Sequence, residues 1–256
     1  MNHLETRIED GALWLTLNRP QQFNALTGEM VIEATRQLRG ATDRDDVRVV
    51  VLTGTGDAFS AGADLAGDNA QERYGADSVD AANQVIRAIT GLDKPVVCGL
   101  NGIAAGVGMS VALACDLVVA TESASLTLAF TRIGLMPDGG ATATVAASVG
   151  RARAMRLALL SDLISAKEAY DAGLVSHLFS DTEYAEGLGK IVRRLSTGAP
   201  LAFAATKKAV NAATLGSLDN AFQRERAGQS LLLRTEDVAE GMRAFSEKRR
   251  PDFHGR

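Results

Sequence analysis

The order of apolar and polar residues predicts an α/β protein with a helical C-terminal region. Three observations carry that prediction. Strand-like and helix-like segments alternate through the first half of the chain. From about residue 139 onward the strand signals nearly vanish. The 256 residues, 46% of them hydrophobic, suffice to bury a large core, in one domain or in one domain with a small appendage.

Taken in order, "ALWLTLNRP" (12–20) alternates apolar and polar residues and stops at Pro20, as a half-buried strand does. "LTGEMVIEATRQLRG" (26–40) has Thr27 placed to cap a helix, apolar residues at helical spacing, and Gly40 as a stop. "VRVVVLTGTG" (47–56) is a β-branched run closed by glycines, which suits a buried strand. "SVDAANQVIRAITGLDKP" (78–95) is helical and closes on Gly91 and Pro95. "PVVCGLNG" (95–102) is a short buried strand, "GVGMSVALACD" (106–116) a buried helix, and "LVVATESASLTL" (117–128) strand-like. This alternation predicts crossover units and a largely parallel sheet. Six further segments, beginning near residues 152, 165, 184, 201, 218 and 235, have helical patterns. In the last of them Met242 and Phe245 stand three apart, placed to dock either on this chain or on another subunit.

Composition excludes several classes of function. The net charge is −4 with both signs mixed along the chain, so neither a nucleic-acid face nor a polybasic membrane anchor is expected. The polar start "MNHLETRIEDG" lacks the apolar stretch of a signal peptide. The longest apolar run, "GMSVALACDLVVA", is broken by Asp116, and no membrane span is expected. Cys98 and Cys115 sit in apolar segments, as in a reduced, cytoplasmic protein. His3, His177 and His254 are far apart in sequence, and no metal site is expected.

Two glycine-containing turns follow strands: "FSAGADL" (59–65) and "NGIAAGVGMS" (101–110). Such turns expose backbone N–H groups at a positive helix end, which suits an anion. A dinucleotide fingerprint fails because Val111 stands where its third glycine belongs. A phosphate-binding loop and a nucleophile elbow fail on their missing Gly-Lys and Gly-x-Ser-x-Gly frames. Read singly, each turn is more often a site of tight packing than a binding loop. Together they can form an oxyanion hole, one N–H from each converging on a carbonyl oxygen. A third stretch, "IGLMPDGGAT" (133–142), holds Asp138, the only charge between Arg132 and Arg151. Its local sequence reads first as a helix N-cap. The alternative is a base made stronger by partial desolvation.

The stretches "WLTLNRPQQFNAL", "FSAGADL", "NGIAAGVGMSVALACDLVVA", "IGLMPDGG" and "AFSEKRRPDFHGR" together resemble the enoyl-CoA hydratase/isomerase (crotonase) superfamily, in order and spacing, across essentially the whole chain. The combination "AAGVGMS…RIGLMPDGG" is most similar to its phenylacetate-pathway isomerase group, which also includes enoyl-CoA isomerases. The resemblance implies a crotonase (ClpP-like) spiral of ββα units over residues 1–195. It also implies a helical C-terminal trimerisation region over 196–256, and a homotrimer or dimer of trimers. It implies an acyl-CoA thioester as substrate and no separate cofactor, the coenzyme A being part of that substrate.

Residue by residue, the family's oxyanion-hole donors fall on the N–H groups of Ala63 and Val107. Val107 stands where many members have glycine, so its side chain must turn away from the thioester. Ala61, Asp64, Leu65, Gly106, Ser110, Phe130 and Pro137 fall on the acyl-CoA site, with Asp64 shaping the oxyanion loop. Phe23 to Ala25 would meet the adenine end of CoA, with Arg19 as a basic neighbour. Phe245 and Lys248 would reach a neighbouring subunit's CoA. The two glutamates by which hydratases activate water fall on Ser110 and Phe130, neither of which is a base near neutral pH. Asp138 stands where isomerases carry an aspartate. Double-bond isomerisation of an enoyl-CoA, or of a ring-epoxide CoA ester, is therefore expected. Enoyl-CoA hydration and a non-catalytic acyl-CoA-binding role are the alternatives. The polar stretch 66–78 is expected to be a mobile loop over the acyl pocket, where specificity is set.

Overall fold

The structure, a computed structural model, describes residues 3–65 and 75–256. Strands β1 (Leu4–Glu9) and β2 (Ala12–Leu17) form an antiparallel hairpin. Helix α1 (Gly28–Gly40) follows, capped by Thr27, whose hydroxyl accepts from Met30 N–H at 3.2 Å. Three units of one pattern come next: β3 (Val49–Gly54), β4 (Ala58–Ser60) and α2 (Ala76–Gly91); β5 (Val96–Leu100), β6 (Ile103–Ala105) and α3 (Val107–Ala114); β7 (Leu117–Thr121), β8 (Ser125–Thr127) and α4 (Ala141–Leu160). The first strand of each joins a six-stranded sheet of order β1-β2-β3-β5-β7-β10. The second joins a four-stranded sheet of order β4-β6-β8-β9. This is the expected ββα spiral.

Pairing from β2 to β7 is parallel, with Val50 opposite Val96 and Cys98 opposite Val118. Strand β3 shows why its valines run unbroken. Val50 and Leu52 enter the main core, while Val49 and Val51 enter a second cluster with Val97, Val119, Leu188 and Val192. The last two come from α6 (Tyr184–Ser196), which covers the sheet's other face. A strand covered on both sides has no polar face to show.

The stretch 117–128 is two strands rather than one, split by a turn at 122–124 and paired into different sheets. Strands β4, β6 and β8, three residues each, are too short to give a period-2 signal. In the helical half, β9 (Ile164–Ser165) and β10 (His177–Phe179) complete the sheets on either side of α5 (Ala166–Ala172). Among the described residues no helix is long and apolar enough to cross a membrane.

Helices α7 (Pro200–Thr214), α8 (Leu218–Leu232) and α9 (Glu236–Ser246) close the chain. Helix α8 packs across α2 and α4, and α9 packs on a 3-10 turn at Phe130–Ile133. Helix α7 buries no residue fully. Lys207 ties it down: its ammonium pairs with Asp116 at 2.8 Å and donates to the Ile89 carbonyl at 2.7 Å. Asp116, which breaks the apolar run after α3, in turn accepts from Val96 N–H at 2.7 Å.

Burial pushes the Asp116 carboxyl above its usual range, and Lys207 opposes that. Lys207→Met would leave the carboxylate largely buried without its cation. It is expected to lower unfolding free energy by about 2–4 kcal/mol near neutral pH, measured by urea denaturation. The loss should shrink at acid pH, where Asp116 takes a proton instead.

Candidate active site

The site grows from two loops. Ala63 forms a parallel bridge with Leu26. Leu26 N–H donates to the Gly62 carbonyl at 2.7 Å, and Asp64 N–H donates to the Leu26 carbonyl at 3.0 Å. In extended backbone successive amides face opposite ways. With residues 62 and 64 turned toward Leu26, the Ala63 N–H turns the other way, and it has no acceptor among the described residues. Arg19 locks this geometry. One guanidinium nitrogen donates to the Ala25 carbonyl at 2.7 Å, and another pairs with Asp64 at 2.9 Å. Ala61 N–H donates to the Phe23 carbonyl at 2.8 Å, lacing the same two segments together.

The second loop turns into α3 at Gly106, whose φ of 52° and ψ of −131° suit glycine alone. Its N–H is held by the Thr127 carbonyl at 3.0 Å, and its carbonyl accepts from Met109 and Ser110 N–H. The N–H of Val107, first in the helix, has no acceptor among the described residues, and no side chain caps this end. The Val107 side chain packs into the core. Gly62, at φ +94°, joins the loops: a Cβ there would lie 2.7 Å from the Ala105 carbonyl oxygen. Ala63 and Val107 accordingly line one cleft of about 160 Å³, with Leu26, Val31, Asp64 and Ala82.

The third part is the turn of Asp138. Ser110, fully buried on the first turn of α3, donates from its hydroxyl to the Asp138 carbonyl at 2.8 Å. Gly139 lies against Ser110 and Val107: a Cβ on it would be 3.0 Å from Ser110 Cβ and 3.6 Å from Val107 Cγ2. Asp138 is 0% exposed, Pro137 is buried beside it, and Phe130 is 5% exposed. The cap reading of Asp138 is corrected here. Gly140 N–H, just before α4, and Thr142 N–H in its first turn donate to Glu225 at 2.7 and 3.0 Å. Asp138 Oδ2 instead accepts from Gln229 Nε2 at 2.8 Å.

Glu225 and Gln229 were not among the residues the sequence singles out. Both are 0% exposed. Leu218 and Phe222 pack on Gly140, and Glu225 and Gln229 continue that same face of α8. The signal was there as spacing, since 218, 222, 225 and 229 form one helical stripe. Two polar residues completing an apolar stripe mark buried polar partners. Burial pushes the Glu225 carboxyl up, while hydrogen bonds from Thr142 and Gly140 pull it down.

Other expected residues fall elsewhere. Arg19 is turned inward by Asp64 and Ala25, so it is no free basic neighbour for a ligand. Phe23 is 59% exposed, at the end of the 3-10 turn Pro20–Gln22. Leu65 is half-buried against the core. Phe245 and Lys248 do not line the Ala63–Val107 cleft. Phe245 is 64% exposed and borders an outer cleft with Arg132, Arg249, Arg250 and Phe253, whereas Met242 is buried in this chain's core. Of the polar stretch 66–78, residues 66–74 lie outside the described residues, and 76–78 open α2.

A family profile described as "Enoyl-CoA hydratase/isomerase" matches residues 7–256. The chain is 36% identical over 261 residues to the 1,2-epoxyphenylacetyl-CoA isomerase of Escherichia coli, covering 100% of both. It is 41% identical over 251 residues to a probable enoyl-CoA hydratase of Rhodobacter capsulatus, covering 97% of this chain and 96% of that one. Its fold matches the crystal structure of an enoyl-CoA hydratase from Mycobacterium avium subsp. paratuberculosis, with TM-score 0.93, 44% identity and 99% of each chain covered.

Glu225 gives a test of this packing. A folded-state pKa above the unfolded value means that the folded chain keeps the proton longer. The contribution of Glu225 to stability therefore falls as pH rises through that window. Glu225→Gln cannot ionise. As pH rises above the ordinary glutamate range, the stability of the native chain relative to this variant should decline, as read by urea unfolding across pH.

Proposed function

The chain belongs to the enoyl-CoA hydratase/isomerase family, whose members process acyl-CoA thioesters, and from that premise we propose that it moves a double bond along an enoyl-CoA, with Asp138 carrying the proton. The supporting observation is one of placement. Ala63 and Val107, each with an unengaged N–H, line one cleft, and the buried Asp138 turn is bonded through Ser110 to the helix that begins at the second of them.

The chemistry follows from those positions. The thioester carbonyl oxygen sits between the two N–H groups. Asp138 removes a proton from C2 of a 3-enoyl thioester, and the electron pair passes into the carbonyl as an enolate. The donors stabilise the developing negative oxygen more than the neutral carbonyl, which lowers the barrier. Asp138 then returns the proton to C4, leaving a 2-enoyl thioester. Atoms and electrons balance with no water and no redox partner. Ser110 and Phe130, at the positions where hydratases carry their two glutamates, offer no group to activate water, and Phe130 dries the site.

The same enolate stabilisation suits a ring-epoxide CoA ester, the kind of substrate named for the Escherichia coli relative. A cytoplasmic trimer or dimer of trimers belongs to this proposal, with Phe245 and Lys248 meeting a neighbour's CoA. The hydratase reading draws on the Rhodobacter relative's name. One assay separates the two. With 3-enoyl-CoA and 2-enoyl-CoA supplied in turn, double-bond migration should be fast and 3-hydroxyacyl-CoA formation slow. Rapid hydration without migration would overturn the proposal.

Asp138→Asn should lower kcat for migration by on the order of 10³-fold while leaving acyl-CoA binding near its native strength, as read by stopped-flow assay and calorimetry. Gly62→Ala forces a Cβ into the Ala105 carbonyl and displaces the Ala63 N–H. Its expected cost is about 100-fold in kcat, the loss of one oxyanion donor.

A further inference from the structure

Helix α8 sends two buried polar side chains, one helical turn apart, into the turn that carries Asp138. Glu225 binds the backbone of Gly140 and Thr142. Gln229 does something different, because it binds the Asp138 carboxylate itself. The orientation of its amide is fixed from the other end: Met136 N–H donates to Gln229 Oε1 at 3.3 Å, so the oxygen faces the backbone and the NH2 faces Asp138. The Nε2 to Oδ2 distance is 2.8 Å, and Gln229 is 0% exposed. The helix comes this close at Gly228, where a Cβ would lie 2.2 Å from the Met136 sulfur.

Asp138 is thus gripped from both sides. Ser110 of α3 holds its backbone carbonyl, and Gln229 of α8 holds its side chain. A base that takes a proton at one carbon and returns it at another must keep one orientation through both transfers. Displacement of a reacting group by about 1 Å can cost on the order of 100-fold in rate. A neutral N–H donor to a carboxylate also favours the ionised, proton-accepting form.

We propose that Gln229 is the positioning residue for Asp138: its amide, itself fixed by Met136 N–H, fixes the carboxylate in one orientation and keeps it ready to accept a proton. This rests on Asp138 being the base of the proposed isomerisation, and it assigns a role in that reaction to the C-terminal helical region of the same chain.

The test uses Gln229→Met, which keeps the length of the side chain and deletes the donor, and Gln229→Glu, which keeps the shape. In Gln229→Met, kcat for 3-enoyl-CoA isomerisation should fall about 10- to 100-fold with KM changed less than about threefold. The acid limb of its kcat–pH profile should rise by about one pH unit, because a donor to the charged form is gone. Carbon-13 carboxyl NMR, with Asp138→Asn assigning the resonance, should show the same rise in the Asp138 midpoint. In Gln229→Glu, the protonated form can still donate to Asp138, and the ionised form repels it. The activity of that variant relative to the native enzyme should therefore fall as pH rises. Glu225 ionises on the same helix face in every variant, so it cancels from these comparisons.

An unmoved Asp138 midpoint, or a Gln229→Glu activity ratio independent of pH, would overturn the proposal. The NMR midpoint needs no turnover, so it reads the Gln229–Asp138 coupling separately. A shifted midpoint together with undiminished turnover in Asp138→Asn would keep that coupling and sink Asp138 as the base.

Discussion

At Gly62 the backbone of one loop lies against the Ala105 carbonyl of the next, closer than any side chain would allow. That contact joins two successive ββα units at their sheet-to-helix turns. It brings an extended segment, which turns one amide outward at Ala63, beside a helix start that leaves Val107 N–H unengaged. Two unengaged amides lining one cleft are hard to achieve otherwise, since folding satisfies nearly every buried N–H within secondary structure. Here the ladder ends on one side and the helix begins on the other. The spiral places these two ends together because β4 and β6 are parallel neighbours.

The rest of the site is hung on that joint. Arg19 and Asp64 carry opposite charges into a mostly dry setting, with side chains 13% and 17% exposed. Their pairing holds Ala25 and the loop at Ala63 in one arrangement. Ser110 ties the Asp138 turn to the helix that begins at Val107, so the proposed base and the proposed donor are joined by one hydrogen bond. A single hydroxyl, four residues after Gly106, couples both halves of the chemistry.

The sequence made the architecture legible wherever an element was long enough to show a period. Thr27 and Gly40 bracket α1 as their chemistry dictates. The unbroken valines of β3 report burial on both faces, although the covering helix α6 lies over a hundred residues away. The three-residue strands were illegible because so short a run contains no period to read. At the site, local chemistry reached the two glycine turns and Asp138 as a lone charge, and family resemblance placed the donors on Ala63 and Val107. It misread Arg19, because nothing local reveals that Asp64 neutralises it. It left Asp138 between cap and base, because the true cap, Glu225, comes from another element.

That division of labour explains why α8 keeps two polar residues on a buried face. Apolar side chains at 225 and 229 would extend the stripe begun by Leu218 and Phe222, and replacing buried ionic groups with apolar ones is often neutral or stabilising. The turn at 136–142 changes the balance. Its glycines expose Gly140 and Thr142 N–H groups that need an acceptor, and Asp138 is the nearest carboxylate in sequence. Were Asp138 to serve them, its charge would be committed to the helix start and its basicity reduced. Glu225 takes the capping task instead. Gln229, one turn further on, meets the side chain this releases with a neutral amide rather than a second charge. A carboxylate at 229 would share its proton with Asp138, and a hydrocarbon would remove the amide's hydrogen bond to it. Only a side chain that donates at one end and accepts at the other satisfies both Met136 N–H and Asp138.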